Sequence, residues 1–147
     1  MKRAILAISA ILLIFLGLVL EGNAQAKKPW AAPRAGNWTV TAKDEENTDW
    51  NGRLTLVRKG AGKYRGHFYW ISGDRSVSGR EYFNGSFDRI TGKLKLTSYK
   101  VKNIKGELGT GDYFARVNNK GRNIVRGSWT GEDNVPGNWK AVWNKAK

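Results

Sequence analysis

Between Lys59 and Ser72 the chain reads Lys-Gly-Ala-Gly-Lys-Tyr-Arg-Gly-His-Phe-Tyr-Trp-Ile-Ser. Tyr64, Gly66, Phe68 and Trp70 share one parity of this run, and Arg65, His67 and Tyr69 the other. A β-strand turns successive side chains to opposite faces, so the pattern describes a strand with one buried face. A helix would need apolar residues at three- and four-residue spacing, and no window from Gly36 onward supplies them. Ahead of the run, Gly60-Ala61-Gly62 provides the backbone freedom of a tight hairpin.

The same alternation recurs to either side. Trp38-Val40-Ala42, Phe83-Gly85-Phe87, Tyr113-Ala115-Val117, Val125-Gly127-Trp129 and Trp139-Ala141-Trp143 each hold one parity. Turn signals separate them at Ser72-Gly73-Asp74, Arg89 to Gly92, Asn118 to Gly121 and Glu132 to Gly137. The count is about eight strands between Gly36 and Lys145, with consecutive strands as antiparallel neighbours. Boundaries are least defined from Tyr99 to Gly111. An open meander exposes two edges to aggregation, and closure removes both. The expectation is therefore all-β: a single antiparallel up-and-down barrel over residues 36–147, with a β-sandwich as the alternative.

A glycine two places before an aromatic recurs through the chain, at Gly36/Trp38, Gly66/Phe68, Gly85/Phe87, Gly127/Trp129 and Gly137/Trp139 among others. Glycine and ring share a face, and the missing Cβ leaves room for a ring from the neighbouring strand. This is a packing device first. If the barrel is hollow, Trp38, Phe68, Trp70, Trp129 and Trp139 are the rings placed to meet a ligand.

Gly36-Asn37-Trp38 resembles the G-x-W signature of the calycin superfamily, which comprises lipocalins, avidins and fatty-acid-binding proteins. Gly127-Ser128-Trp129-Thr130 through Trp139-Lys140-Ala141 is similar to the last Trp-bearing strands of avidins, and Thr110-Gly111-Asp112-Tyr113 to the T-D-Y element of lipocalins, interrupted here by Gly111. The resemblance spans most of residues 36–145. It implies an up-and-down barrel with Trp38 closing one end. Where avidins carry polar biotin-binding side chains, this chain has Val40-Thr41-Ala42 and His67-Phe68-Tyr69-Trp70, so the architecture is implied and no binding site is.

Ahead of the barrel, Met1-Lys2-Arg3 precedes an uncharged apolar run from Ala4 to Leu20 and an Ala24-Gln25-Ala26 site. These are the parts of a secretory signal peptide over residues 1–26, cleaved after Ala26. The run is also at the lower edge of a membrane-spanning length, so an anchor is the competing reading. Lipoprotein acylation would need a cysteine, and the chain has none. Residues 27–35, with Pro29 and Pro33, read as an extended arm, mobile unless Trp30 docks. The compartment expected is periplasmic or extracellular.

Catalysis is not expected. The chain has one histidine and no cysteine, too few ligands for a zinc site and no nucleophile with its base. His67 falls on the polar parity. Glu81, Asp88, Glu107, Asp112, Glu132 and Asp133 stand among basic residues and read as ion-pair or turn residues. Asp44-Glu45-Glu46-Asn47-Thr48-Asp49 lacks the glycine of a calcium loop and reads as a solvated hairpin. Neither cofactor nor metal is expected.

The charge points outward. Lys and Arg number 26 against 12 Asp and Glu, a formal net charge of +14. Arg53, Lys93, Lys95, Arg116 and Lys140 fall outside the apolar parity, and Arg58 and Lys59, beside the Gly60 turn, join them as candidate polyanion contacts. The first expectation is an exported protein whose outer face adheres to acidic polymers such as acidic glycan, lipopolysaccharide or extracellular nucleic acid, or to an anionic cell-envelope surface. Sequence-specific nucleic-acid reading is not expected, because no such motif is present. The alternative is a calycin-like carrier of a small, largely apolar ligand inside the barrel.

Overall fold

The residues that alternate in sequence line the inside of a closed sheet. The computed structural model describes residues 26–132 and 136–145. The leader expected over residues 1–26 lies, apart from Ala26, outside them.

Eight strands follow in chain order: β1 (Gly36–Asp44), β2 (Asp49–Gly60), β3 (Lys63–Ser72), β4 (Ser78–Asp88), β5 (Lys93–Lys105), β6 (Gly111–Asn118), β7 (Asn123–Gly131) and β8 (Pro136–Trp143). Each pairs antiparallel with the next, and β8 returns to β1 with Ala141 opposite Val40. Closure gives every strand a partner on each side and decides for the barrel over the sandwich. Alternating strand direction sorts the loops into two sets. Loops 44–49, 72–78 and 105–111 stand at one end, with the last residue of β7, Gly131, and the first of β8, Pro136, and loops 60–63, 88–93 and 118–123 stand at the other.

The barrel centre is filled. Trp38, Val40, Leu54, Phe68, Phe83 and Leu96 are wholly buried. The Phe68 ring lies 4.6 Å from Tyr113, 4.9 Å from Trp70 and 5.1 Å from Phe83, and meets Trp139 edge-on at 5.7 Å. Burial of each such side chain contributes roughly 1.5–3 kcal/mol relative to exposure.

Glycine makes this density possible. A Cβ on Gly66 would stand 1.9 Å from the Thr55 carbonyl oxygen and 2.8 Å from Cζ of Phe83. In the last hairpin the repeat pairs with itself: Gly127 lies opposite Trp139 and Gly137 opposite Trp129. A Cβ would meet Cδ1 of Trp139 at 2.6 Å in the first case and Nε1 of Trp129 at 2.1 Å in the second.

One sequence expectation changes, and two open points take form. In β7 the register jumps from Ile124 opposite Ala141 to Gly127 opposite Trp139, with Arg126 at a positive φ of 51°. This bulge turns Ile124 inward to full burial and leaves Val125 half-buried, so of Val125-Gly127-Trp129 only the last two share the inner face. The indistinct stretch from Tyr99 to Gly111 holds the far half of β5, which pairs with β4 throughout but with β6 only from Lys93 to Thr97. Beyond Thr97 the Ser98 hydroxyl bonds the backbone of Gly111, and the following loop folds back to pack Leu108 against the core.

The arm meets the condition set on its mobility, because Trp30 docks. The Trp30 N–H donates to the Arg89 carbonyl at 2.7 Å, and its ring fills the space that a side chain on Gly92 would need. Pro33 is fully buried and accepts from the Tyr64 hydroxyl at 3.1 Å. Arg34 and Ala35 accept from the indoles of Trp38 and Trp143. The arm is thus a stopper at the 60–63 end, with Trp38 beneath it.

Candidate functional site

Nothing comparable among the described residues covers the other end. There the filled centre gives way to a cup of about 260 Å³. Trp50 of β2, Trp70 of β3, Tyr113 of β6 and Trp129 of β7 wall it, with Ala42 and Leu108 between them. Each faces inward because it continues the apolar parity of its strand to the strand's end. Trp70 and Tyr113 lie nearly parallel with centroids 6.4 Å apart, as do Tyr113 and Trp129 at 6.2 Å.

The polar lining is one-sided. Asp44, Glu46, Glu107 and Glu132 belong to it, and no described lysine or arginine does. Asp44 accepts from the Trp50 indole N–H at 3.2 Å and from the Thr48 amide at 2.8 Å, which holds that ring at the mouth. Thr110 donates to Glu132.

Behind the aromatic wall stands a buried acid. Glu81 of β4 is 1% exposed, and its Oε2 accepts from the Tyr113 hydroxyl at 2.6 Å and the Trp70 indole at 3.0 Å. Its Oε1 has no partner. Burial pushes this carboxyl above its usual range, against the pull of its hydrogen-bond donors. Burial likewise raises the Tyr113 hydroxyl well above the ordinary tyrosine value, and the neighbouring Glu81 adds to it. Tyr113 is therefore a donor and Glu81 an acceptor.

Of the rings expected to meet a ligand, Trp70 and Trp129 line the cup. Trp38, Phe68 and Trp139 do not; they are spent on packing. Trp50, Tyr113, Glu81 and the rim acids were not singled out as ligand contacts. For Trp50 a signal existed, since Trp50-Gly52-Leu54-Leu56 is itself an alternating run.

The carboxylates are not scattered as ion-pair partners. Among the described residues the only ion pair is Lys43 to Asp49, at 3.3 Å, and of the described acids only Asp88 lies at the arm-closed end. Antiparallel order brings alternate loops to one end, and those loops carry the acids. The run from Asp44 to Asp49 is a hairpin as expected, but Asp44 and Glu46 turn to the cup. Asp74 and Asp88 are turn acids: Asp74, accepting from Ser72 and Ser76, is lowered to about 2, and Asp88, accepting from Thr91 and Ile90, is lowered too.

The basic side chains lie elsewhere. Arg53, Arg58, Lys59, Lys93, Lys95 and Lys140 are exposed on the outside. Arg116 is not free: it is half-buried, sits 5.9 Å over the Trp30 ring and donates to the Thr91 carbonyl. A shallow groove across the outer face of β1 to β3 holds Arg53, Arg80 and Lys145 and no described carboxylate. His67 lies in it beside Tyr82, its imidazole held below the usual value by partial burial and then by Arg80. No three of His, Cys, Asp and Glu among the described residues stand close enough to share a metal ion.

No protein-family model matches this sequence, and no curated protein does. Solved structures resemble the fold. A redesigned β-barrel, mFAP1, bound to DFHBI matches with a TM-score of 0.62 at 10% identity, over 74% of this chain and 93% of its own. A second, mFAP0, also bound to DFHBI, gives 0.57 at 12% identity over 74% and 96%. A fluorescence-activating β-barrel of de novo design gives 0.51 at 12% over 76% and 94%. These likenesses show the barrel architecture and carry no residue across.

Proposed function

We propose that this is an exported binding protein, not an enzyme, and that it takes one small organic molecule into the aromatic cup. The observation that carries the reading is the contrast between the two ends. One is stoppered by the arm and packed solid, while the other stops short of filling itself and leaves four large rings facing a common space. Ligand sites are concave and mostly apolar with a few placed polar groups, and the cup has that composition. Its volume sits just below the usual range of about 300–1,000 Å³, so the guest is small. The G-x-W resemblance to calycins points the same way, and other barrels of this fold, mFAP1 and mFAP0, are bound to DFHBI. The expected carrier thereby becomes a carrier at the barrel mouth, since the barrel centre has no room.

The test is a thermal-shift series with small aromatic solutes of each charge, indole, phenol, benzylamine and benzoate. A ligand that binds only the folded state raises its midpoint. At least one solute should do so, and Ala42→Phe, which fills the cup, should remove the response. If none shifts the midpoint, or Ala42→Phe responds like the parent, the reading fails.

A second reading, adhesion of acidic polymers to the outer face, rests on the exposed bases and the carboxylate-free groove. The similar barrels lend it nothing. It predicts DNA or heparin binding that weakens steeply with salt and weakens further in a Lys93→Glu/Lys95→Glu variant; binding absent at low salt would end it.

A further inference from the structure

Among the described residues, the lining of the cup carries a charge opposite to that of the molecule as a whole. In a chain with 26 basic and 12 acidic residues, chance would surround a cavity with lysine and arginine, as happens on the outer wall, where the groove across β1 to β3 holds Arg53, Arg80 and Lys145. The cup instead presents Asp44, Glu46, Glu107 and Glu132 and no described base. Like charges held around a common space repel one another, and no cationic side chain in the described lining neutralises them. Behind Trp70 and Tyr113 the buried Glu81, 1% exposed, holds both rings in place through its Oε2 and is itself no part of the lining.

The aromatic walls suit the same sign of charge as the acidic rim. Trp50, Trp70, Tyr113 and Trp129 present aromatic faces and edges to the cavity, and the faces of such rings attract cations, tryptophan most strongly. A metal ion does not fit the arrangement, because no three acidic or imidazole groups among the described residues converge. Spread-out carboxylates and large rings suit a large, diffuse charge with an apolar body.

Resting on the cup as the ligand site, we infer that its ligand is an organic cation, a substituted or quaternary ammonium bearing apolar groups, seated among Trp50, Trp70, Tyr113 and Trp129 with Asp44, Glu46, Glu107 and Glu132 around it. The basic exterior and the acidic mouth then have separate consequences. The exterior repels the free ligand at long range, and only the mouth attracts it, so binding should be specific to that end and should weaken as added salt screens the rim.

The experiment uses three probes of one shape: phenyltrimethylammonium, its uncharged isostere tert-butylbenzene, and benzenesulfonate, each titrated by calorimetry. The cation should bind at least tenfold more tightly than tert-butylbenzene, and the sulfonate should not bind. Glu46→Gln/Glu107→Gln, at two exposed positions where folding is not at stake, should weaken the cation severalfold and leave tert-butylbenzene unchanged. If tert-butylbenzene binds as tightly as the cation, or if the double variant leaves the cation unaffected, the cation inference is overturned while the cup stands as a site. If none of the three binds, the inference falls together with the cup.

Discussion

The hydroxyl of Tyr113 donates to Oε2 of Glu81 at 2.6 Å, joining the aromatic wall of the cup to a carboxylate buried in the barrel. Trp70 donates to the same oxygen, so two rings of the cup are oriented by a single acid. A buried acid without a cation is costly when charged. Its retention here is a constraint on ring placement more than a source of stability.

That constraint has a pH signature. Glu81 is held above its usual range by burial. Below the ordinary carboxylate value it is protonated in folded and unfolded chains alike, and its contribution is intact. As pH rises from there through the raised folded value, the unfolded chain loses the proton first and stability falls. Asp74 and Asp88, whose values are lowered, act in the opposite sense, losing their contribution as pH falls. The difference between parent and Glu81→Gln in denaturant midpoint therefore isolates Glu81: it should widen in the variant's favour as pH rises. A constant difference across pH would refute the assignment.

Glycine positions give a paired test of the packing. Gly66→Ala brings a Cβ to 1.9 Å from the Thr55 carbonyl oxygen, whereas Gly60→Ala meets nothing within 4 Å. The first should destabilise by about 1–3 kcal/mol or more, as overpacking does. The second should be neutral or gain up to about 1 kcal/mol through the unfolded state. Equal midpoints in urea would show that the strands are not this close.

The arm makes its own prediction. Tyr64→Phe removes the hydroxyl that donates to Pro33 and should cost about 1 kcal/mol, the usual net worth of such a bond. It should also speed amide exchange in residues 30–35. Unchanged exchange there would mean that the stopper is held without Tyr64.

For export, the Ala24-Gln25-Ala26 site implies a mature amino terminus at Lys27. Intact-mass measurement of protein recovered outside the cytoplasm should show that terminus. A full-length chain in the membrane fraction would favour the anchor instead.

Much of the fold was legible because the signal was local. Period-two alternation with Gly-rich turns marks strands without any knowledge of partners, and the docking of Trp30 was a stated condition on the arm. What was illegible was whatever depends on register. Nothing in Ile124-Val125-Arg126-Gly127 announces that Arg126 adopts a positive φ, yet that one bulge decides which of Ile124 and Val125 enters the core. Nor does sequence order reveal that Asp44, Glu107 and Glu132 meet at one mouth. Asp44 read as part of a solvated acidic hairpin and Glu107 and Glu132 as ion-pair or turn residues among bases, and only the alternation of strand direction brings them together. The rings named from sequence divide for a related reason: Trp38 and Trp139 share the inward parity of Trp70 and Trp129, and height along the barrel, which parity does not encode, separates packing from cup.

The indole N–H resonances of the seven tryptophans test the central claim directly. In a titration with phenyltrimethylammonium followed by ¹H–¹⁵N correlation spectra, Trp50, Trp70 and Trp129 should shift together and saturate at one equivalent. Trp38 and Trp139 in the packed core, and Trp30 and Trp143 near the stoppered end, should stay in place. Shifts confined to Trp30 and Trp143 with the three cup indoles unmoved would contradict the account, placing the binding surface on the outside and leaving the cup as unfilled space.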